Sequence, residues 1–544
     1  MSVRANEPLG LMRVGVALAA AALVGACQLR APAAFEPLPG PRAEVLRRFA
    51  LDHADQAHAP LAPIHVLGRS GRADDEATDA PFAEIELNDV LRAVETHFPL
   101  VLAALEEVEI AESKLQQSRG SFDTRLGATG AFDLEGFYEA DTVDIGIEQP
   151  LEFWGLNVSS GYRIGRGDFA VYDGKRKTNK DGEWRLGVSM PLLAGREIDA
   201  RRVSLWRARL VRDAAAPLVI QKRLEATLKA AQSYWKWVAA GRRREIAVRL
   251  LALAEDRMAQ IELAVQEGLL AAINLTENQR LIVDRRAALL RAERSLQEAA
   301  LTLSLFWRDE RGQPATPRDE LLPYEFPMPR AAADVLRAED EELALAQRPE
   351  LRLVEVELER LQLELELARN DVLPRLDAGV FGSQDLGGAV STPDDKEPFE
   401  LTALLRFQLP LQRNLARGQV RESEAKLRKL TRERQFLVDA LRNEVRDVSS
   451  ALTQTWLRIA QAEENVRLAN ELAQAERVQL DAGQSDLLRV NLREQQAAAA
   501  AGGLVDVYEE YFRALAQYRA ALGLPYDEVA AGAAVGGAPV SNER

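Results

Sequence analysis

The sequence predicts a mainly helical fold with a smaller β component, in which one run of elements occurs twice. Three observations predict it. The same landmark residues recur in the same order in the two halves of the chain. Each half holds a helical stretch of about 70 residues, which at ~1.5 Å per residue is ~105 Å long. Each half also carries segments whose residues alternate between apolar and polar, as half-buried strands do.

The repeat is the most informative of the three. Pro99, Arg119, Arg125 and Leu126 match Pro349, Arg369, Arg375 and Leu376 at one constant offset. Met190-Pro191-Leu192 then matches Leu409-Pro410-Leu411, and Gly268 matches Gly483. Each half reads helix, strands, a Pro-Leu corner, long helix, glycine turn, helix. This places a first repeat at 84–308 and a second at 339–523, joined by a linker at 309–338.

Strand segments fall at about 123–192 and about 374–410. Within 399–410, Phe399, Leu401, Ala403, Leu405, Phe407 and Leu409 share one face. Glu400, Thr402, Arg406 and Gln408 share the other, with Leu404 out of pattern. Within 183–192, Trp184, Leu186, Val188, Met190 and Leu192 oppose Glu183, Arg185, Gly187 and Ser189. A lipid-facing apolar side and a watered polar side make a transmembrane β-barrel wall. On that reading Trp184, Val188, Leu405 and Phe407 face lipid. The same alternation also fits an amphipathic sheet in a soluble domain. The stretch Pro99 to Pro191 is longer than Pro349 to Pro410, and the excess lies among the first strands. It holds alternating segments at 143–151 (Val143, Ile145, Ile147, Leu151) and 156–164 (Leu156, Val158, Tyr162, Ile164). Phe153-Trp154-Gly155 could turn between them. An extra hairpin would give six strands in place of four; a long external loop is the alternative.

The long helices run from Glu197 to Gln266 and from Arg413 to Ala482. The second has no proline. The first has Pro217, which is expected to kink or interrupt it by removing a donor and crowding the preceding turn. Alanines cluster at 497–501 and 514–521, where small side chains allow close helix packing. An ordinary soluble coiled coil would show the same helical pattern.

The N-terminus adds an address. Arg4 and Arg13 lead an apolar or small run from Val14 to Ala26, too short to span a membrane but suited to a signal peptide at 1–26. Val24-Gly25-Ala26-Cys27 resembles a lipobox, which makes Cys27, the sole cysteine, the expected lipidation site. An ordinary signal peptide with an incidental cysteine is the alternative. Residues 27–83 read as a Pro/Ala/Gly tether and 524–544 as a disordered tail.

Composition narrows the function classes. A net charge of −15 argues against a nucleic-acid partner. The histidines are His53, His58, His65 and His97, three of them in the tether. No P-loop, nucleophile elbow or paired-cysteine motif is present. The sequence therefore points to no enzyme, no cofactor and no metal site. Acid-rich Glu355-Val356-Glu357-Leu358-Glu359 reads as the solvated face of a helix.

Four short motifs bring in a family. Ala346-Gln347-Arg348-Pro349-Glu350-Leu351 resembles the helix start of the TolC-like outer-membrane efflux proteins. Ala368-Arg369-Asn370-Asp371-Val372-Leu373-Pro374-Arg375-Leu376 resembles their helix-to-strand passage. Gly483 with Asp486-Leu487-Leu488-Arg489-Val490-Asn491 resembles their periplasmic turn, and Tyr518-Arg519-Ala520-Ala521-Leu522-Gly523 the end of their last helix. The resemblance spans roughly 84–523. It implies a homotrimer, with a long coiled-coil periplasmic barrel of helices and one transmembrane β-barrel in outer-membrane lipid. Two structural repeats would make each protomer. It further implies a passive duct that works with a periplasmic adaptor protein and an inner-membrane transporter, in tripartite efflux or type I secretion. Gln28 after Cys27 agrees with an outer-membrane address.

The sequence departs from that family at the aperture. Acidic residues are expected about two turns after each turn glycine, yet Asn274 follows Gly268 and Arg489 follows Gly483. Arg489 and Arg493 share a helix face, with Asp486 one turn earlier. These residues are expected to form a mixed or basic ring at the aperture, or to face an adaptor. The competing function is a periplasmic adaptor lipoprotein, for which one hairpin inserted in a small β domain would be expected.

Overall fold

The computed structural model describes residues 84–170, 176–388 and 398–524. Cys27, the tether with its histidines, and all but the first residue of the C-terminal tail lie outside the described residues. Two helices open the described chain, α1 (Leu87–His97) and α2 (Pro99–Arg119). Four strands follow, β1 (Arg125–Phe132), β2 (Ala140–Pro150), β3 (Asn157–Gly167) and β4 (Glu183–Pro191). The chain then runs out along α3 (Ala200–Gln266) and back along α4 (Ala272–Leu303). After an irregular stretch come α5 (Asp340–Gln347), α6 (Pro349–Asp371), β5 (Arg375–Asp385) and β6 (Phe399–Gln408). A second long excursion, α7 (Asn414–Asp481) and α8 (Leu487–Ala521), completes the fold.

Local chemistry explains the helix ends. Pro99 and Pro349 sit in the first turns of α2 and α6, where the missing N–H costs nothing. Asp199 caps α3 by accepting from the N–H groups of Arg201 (2.8 Å) and Arg202 (3.0 Å). α3 and α7 have 67 and 68 residues. Pro217 does not interrupt α3, contrary to one reading of the sequence: the helix is continuous through it. A proline inside a helix costs about 3 kcal/mol; here Ala215 and Val219 on either side of it are buried.

The six strands form one antiparallel sheet in chain order, β1-β2-β3-β4-β5-β6. The extra length of the first strand segment is therefore sheet and not an external loop. β2 starts three residues before the expected 143–151, β3 ends three residues after the expected 156–164, and the turn between them uses Trp154 and Gly155 at φ 51° and 63°. β1 and β6 are the sheet edges.

The main core lies along the helices, away from the sheet. It gathers Trp235 and Trp237 of α3, Leu296 and Leu303 of α4, Leu452 of α7, and Tyr511 and Phe512 of α8. The Trp235 and Phe512 rings stack with centroids 4.3 Å apart. A smaller cluster of Leu115, Leu205 and Ala208 sits between α2 and α3 near the strands.

Candidate functional site

The sheet has two chemically distinct faces. Register places Tyr162, Trp184, Gln384 and Phe399 in one row across β3 to β6, and Ser160, Leu186, Gly382 and Leu401 in the next. Further rows on this face hold Val158, Val188, Val380 and Ala403, then Met190, Ala378 and Leu405. Trp184, Leu186, Leu401 and Phe407 are exposed, and Leu405 is 71% exposed. Val188 is half-buried among its strand neighbours. Aromatic residues concentrate at the rims: Phe132, Tyr162, Trp184 and Phe399 toward the end far from the helices, Phe407 toward the near end. Phe399 to Phe407 spans eight steps of ~3.4 Å along the strand, or ~27 Å, which at a tilt of about 40° is a height of ~21 Å, near the apolar height of a membrane barrel.

The opposite face is charged. Asp144 of β2 accepts from Arg163 of β3 (3.0 Å) and from Arg185 of β4. Arg163 also lies 4.0 Å from Glu183. Apolar residues interrupt this face at one place: the Phe381 ring lies across β4 and β5. A Cβ on Gly187 or Gly379 would meet it at 2.4 or 2.6 Å, which is why those two positions carry no side chain. Leu404, out of pattern in the sequence, pairs with Gly379 beside that ring.

Where strands pass into helices, the two passages are tied together. Asn370 at the end of α6 accepts from the N–H of Gly195 (3.1 Å), just before α3. The N–H of Leu192 donates to Leu376 (2.6 Å). The hairpin turn reaches the same place, where the Arg196 guanidinium stacks on Trp154 at 4.8 Å. A second junction joins two motifs that are far apart in sequence. Arg348 donates to the carbonyls of Ala520 (3.1 Å) and Ala521 (3.4 Å) at the end of α8, and pairs with Glu350 (3.0 Å).

The far ends of the two long hairpins are built alike. Gly268 and Gly483 take φ of 75° and 71°. In each turn the residue after the glycine donates back to the helix, Leu269 to Ala264 (2.8 Å) and Gln484 to Gln479 (2.8 Å). This is a Schellman closure, which favours glycine at the left-handed position. Asp486 caps α8 through the N–H of Arg489 (2.8 Å), and its carboxylate lies 3.7 Å from the Arg489 guanidinium, both exposed. Asn274, in the first turn of α4, donates its side-chain amide to the carbonyl of Ala271 (3.2 Å). Arg493 turns toward Glu476 of α7 at 3.8 Å. Arg489 and Arg493 thus share a face of α8 and take different acidic partners.

Sequence reasoning missed the densest charge cluster in this region. Glu494 of α8 is 2% exposed. It accepts from Arg257 of α3, from Arg477 of α7 at 3.0 Å and from Arg285 of α4 at 3.3 Å. Burial pushes its pKa up, but the three guanidinium groups outweigh that and hold it below the usual carboxylate range. Burial depresses Arg285, and Glu494 opposes that only in part.

Among the described residues no group of His, Cys, Asp and Glu could hold a metal ion, and no helix is long and apolar enough to cross a membrane.

No family model matches the sequence, and no curated protein matches it either. Solved structures do. A membrane protein from Pseudomonas aeruginosa aligns with a TM-score of 0.59 at 16% identity, over 85% of this chain and 98% of its own. The outer membrane protein VceC of Vibrio cholerae aligns at 0.58 and 16% identity, over 81% and 97%. The open state of the MtrE outer membrane channel of Neisseria gonorrhoeae aligns at 0.59 and 16% identity, over 81% and 90%. The chain has the fold of these membrane proteins, which is the TolC-like fold.

Proposed function

We propose that this chain is one protomer of a trimeric outer-membrane duct, passive in itself, through which solutes leave the periplasm. The observation that carries the reading is the six-stranded sheet: single-layered, apolar and exposed on one face, charged on the other, with both edges open. An open edge invites pairing with another strand. Three copies joined β1 to β6 would leave no edge, and three-fold symmetry is a closed arrangement. The resulting barrel would have 18 strands. At ~4.8 Å between strands tilted by about 40°, its backbone diameter is about 36 Å, wide enough for a watered lumen. Trp184, Val188, Leu405 and Phe407 would then meet lipid, and Asp144, Arg163 and Arg185 would line the lumen.

The two long hairpins would continue the duct into the periplasm, with Gly268 and Gly483 at its far opening. There Asp486, Arg489 and Arg493 would contact an adaptor or ring the aperture, and an inner-membrane transporter would supply the energy. Cys27 would carry the lipid anchor. Tripartite efflux and type I secretion both use such a duct. Two long hairpins on a single sheet favour this reading over a periplasmic adaptor, for which one hairpin is expected.

The test is biochemical. Outer-membrane fractions should contain the protein as an SDS-resistant species of three times the protomer mass that dissociates on boiling. Recovery as a monomer from the periplasmic or inner-membrane fraction would overturn the proposal.

A further inference from the structure

The sheet is a single layer, so residues on its charged face should be open to water. At the end far from the helices they are not. Ala140, Glu183 and Asp385 are all buried there, at 6%, 4% and 8% exposure. Register puts all three on the charged face: Glu183 pairs with Arg163 and Asp385, and Ala140 lies two residues from Thr142 along β2.

Residues 176–182, which lead into β4, pack against this end. The N–H of Thr178 donates to the carbonyl of Gly165 (3.1 Å), and the N–H of Gly165 donates to the Thr178 hydroxyl oxygen (3.1 Å). Gly165 alternates with Arg163 and so faces the charged side. A Cβ on it would fall 2.0 Å from the carbonyl oxygen of Arg176. The backbone at Arg176 therefore crosses directly over that face, and Gly165 lacks a side chain because this chain lies there. The segment is tied down further on. The N–H of Asn179 donates to Asp385 (3.1 Å), that of Asp181 to the carbonyl of Leu386 (3.1 Å), and that of Lys180 to Gly388 (3.3 Å).

We propose that segment 176–182 is a constriction carried inside the duct near its exterior mouth, and that it sets the size limit for solutes leaving there. This rests on the reading of the charged face as the lumen. A second layer of chain stands up to ~10 Å from the sheet beneath it, so three copies would narrow the mouth substantially. Hydrogen bonds to β3, β5 and the β5–β6 connection fix the segment, so the narrowing is built in.

The experiment uses the full-length protein in planar bilayers. Arg176→Cys is treated with a charged methanethiosulfonate reagent. Glu135→Cys, in the exposed turn between β1 and β2, and the unsubstituted protein are treated alongside, with labelling measured by mass. The proposal predicts complete labelling of Arg176→Cys and a fall of about two-fold in its single-channel conductance, because the added groups obstruct the lumen at three places. Glu135→Cys should label with unchanged conductance. If Arg176→Cys fails to assemble, Lys180→Cys replaces it. Equal conductance responses in the two labelled proteins, or a segment position that resists labelling from water, would overturn the constriction and leave the duct standing. No conductance from unsubstituted protein would overturn the duct itself.

Discussion

Arg285 of α4 and Glu494 of α8 lie 3.3 Å apart, both buried, in different helical hairpins. Arg257 of α3 and Arg477 of α7 meet the same carboxylate. One acid thus ties all four long helices together, a few turns from the glycine turns. Removing one member of a buried charge set costs more than the set contributes, because the remainder is left uncompensated.

Glu494→Gln should therefore destabilise the helical body by about 3–5 kcal/mol. Thermal or urea unfolding followed by helical circular dichroism measures this. A loss under ~1 kcal/mol, the range of exposed pairs, would mean that the cluster is solvated in solution.

The same carboxylate gives a pH dependence. Its folded pKa is depressed, so its stabilising contribution is complete above the unfolded value of ~4.3 and is lost as pH falls through the lower folded value. Wild type should lose unfolding free energy more steeply than Glu494→Gln once pH drops below about 4. Parallel curves for the two proteins in that range would contradict the assignment.

Leu405 and Thr402 sit on opposite faces of β6. Leu405→Arg should cost ~2–4 kcal/mol if its face meets lipid near the midplane, and Thr402→Arg much less. The measurement is the yield of SDS-resistant oligomer. Equal yields would reverse or abolish the facial assignment.

At the far turn, Arg489→Glu reverses charge on an exposed position beside Asp486. If Arg489 rings the aperture, the variant should shift ion selectivity with oligomer stability kept. Unchanged selectivity with lost adaptor binding would place Arg489 on the outer wall. Asp486→Ala should cost ~0.5–2 kcal/mol through the lost helix cap in either case.

Cys27 is tested by labelling with a fatty-acid analogue. Wild type should take up label and Cys27→Ser should not, while the barrel still inserts because its strands supply their own apolar face. Equal labelling would remove the anchor.

The sequence made most of the architecture legible because its signals were local. Pro99 and Pro349 marked helix starts, Gly268 and Gly483 marked turns, and alternation from Trp184 to Met190 marked a strand face. The extra hairpin was half legible: Val143, Ile145 and Ile147 showed the period, but nothing local told sheet from loop. The missed features depend on partners far apart in sequence. Alternation along β5 puts Phe381 on the charged face, and Gly187 on β4 helps make room for its ring. Glu494 looked like one more helical acid until α3, α4 and α7 each brought an arginine to it. Pro217 misled in the other direction, since the helix runs on without a break where the local rule allowed an interruption.

The central claim is that three copies enclose one watered passage, and single-channel recording tests it most directly. Purified full-length oligomer added to a planar bilayer should produce discrete, uniform conductance steps. Each step should report a single pore per oligomer. A folded, SDS-resistant oligomer that inserts and conducts nothing would contradict the account.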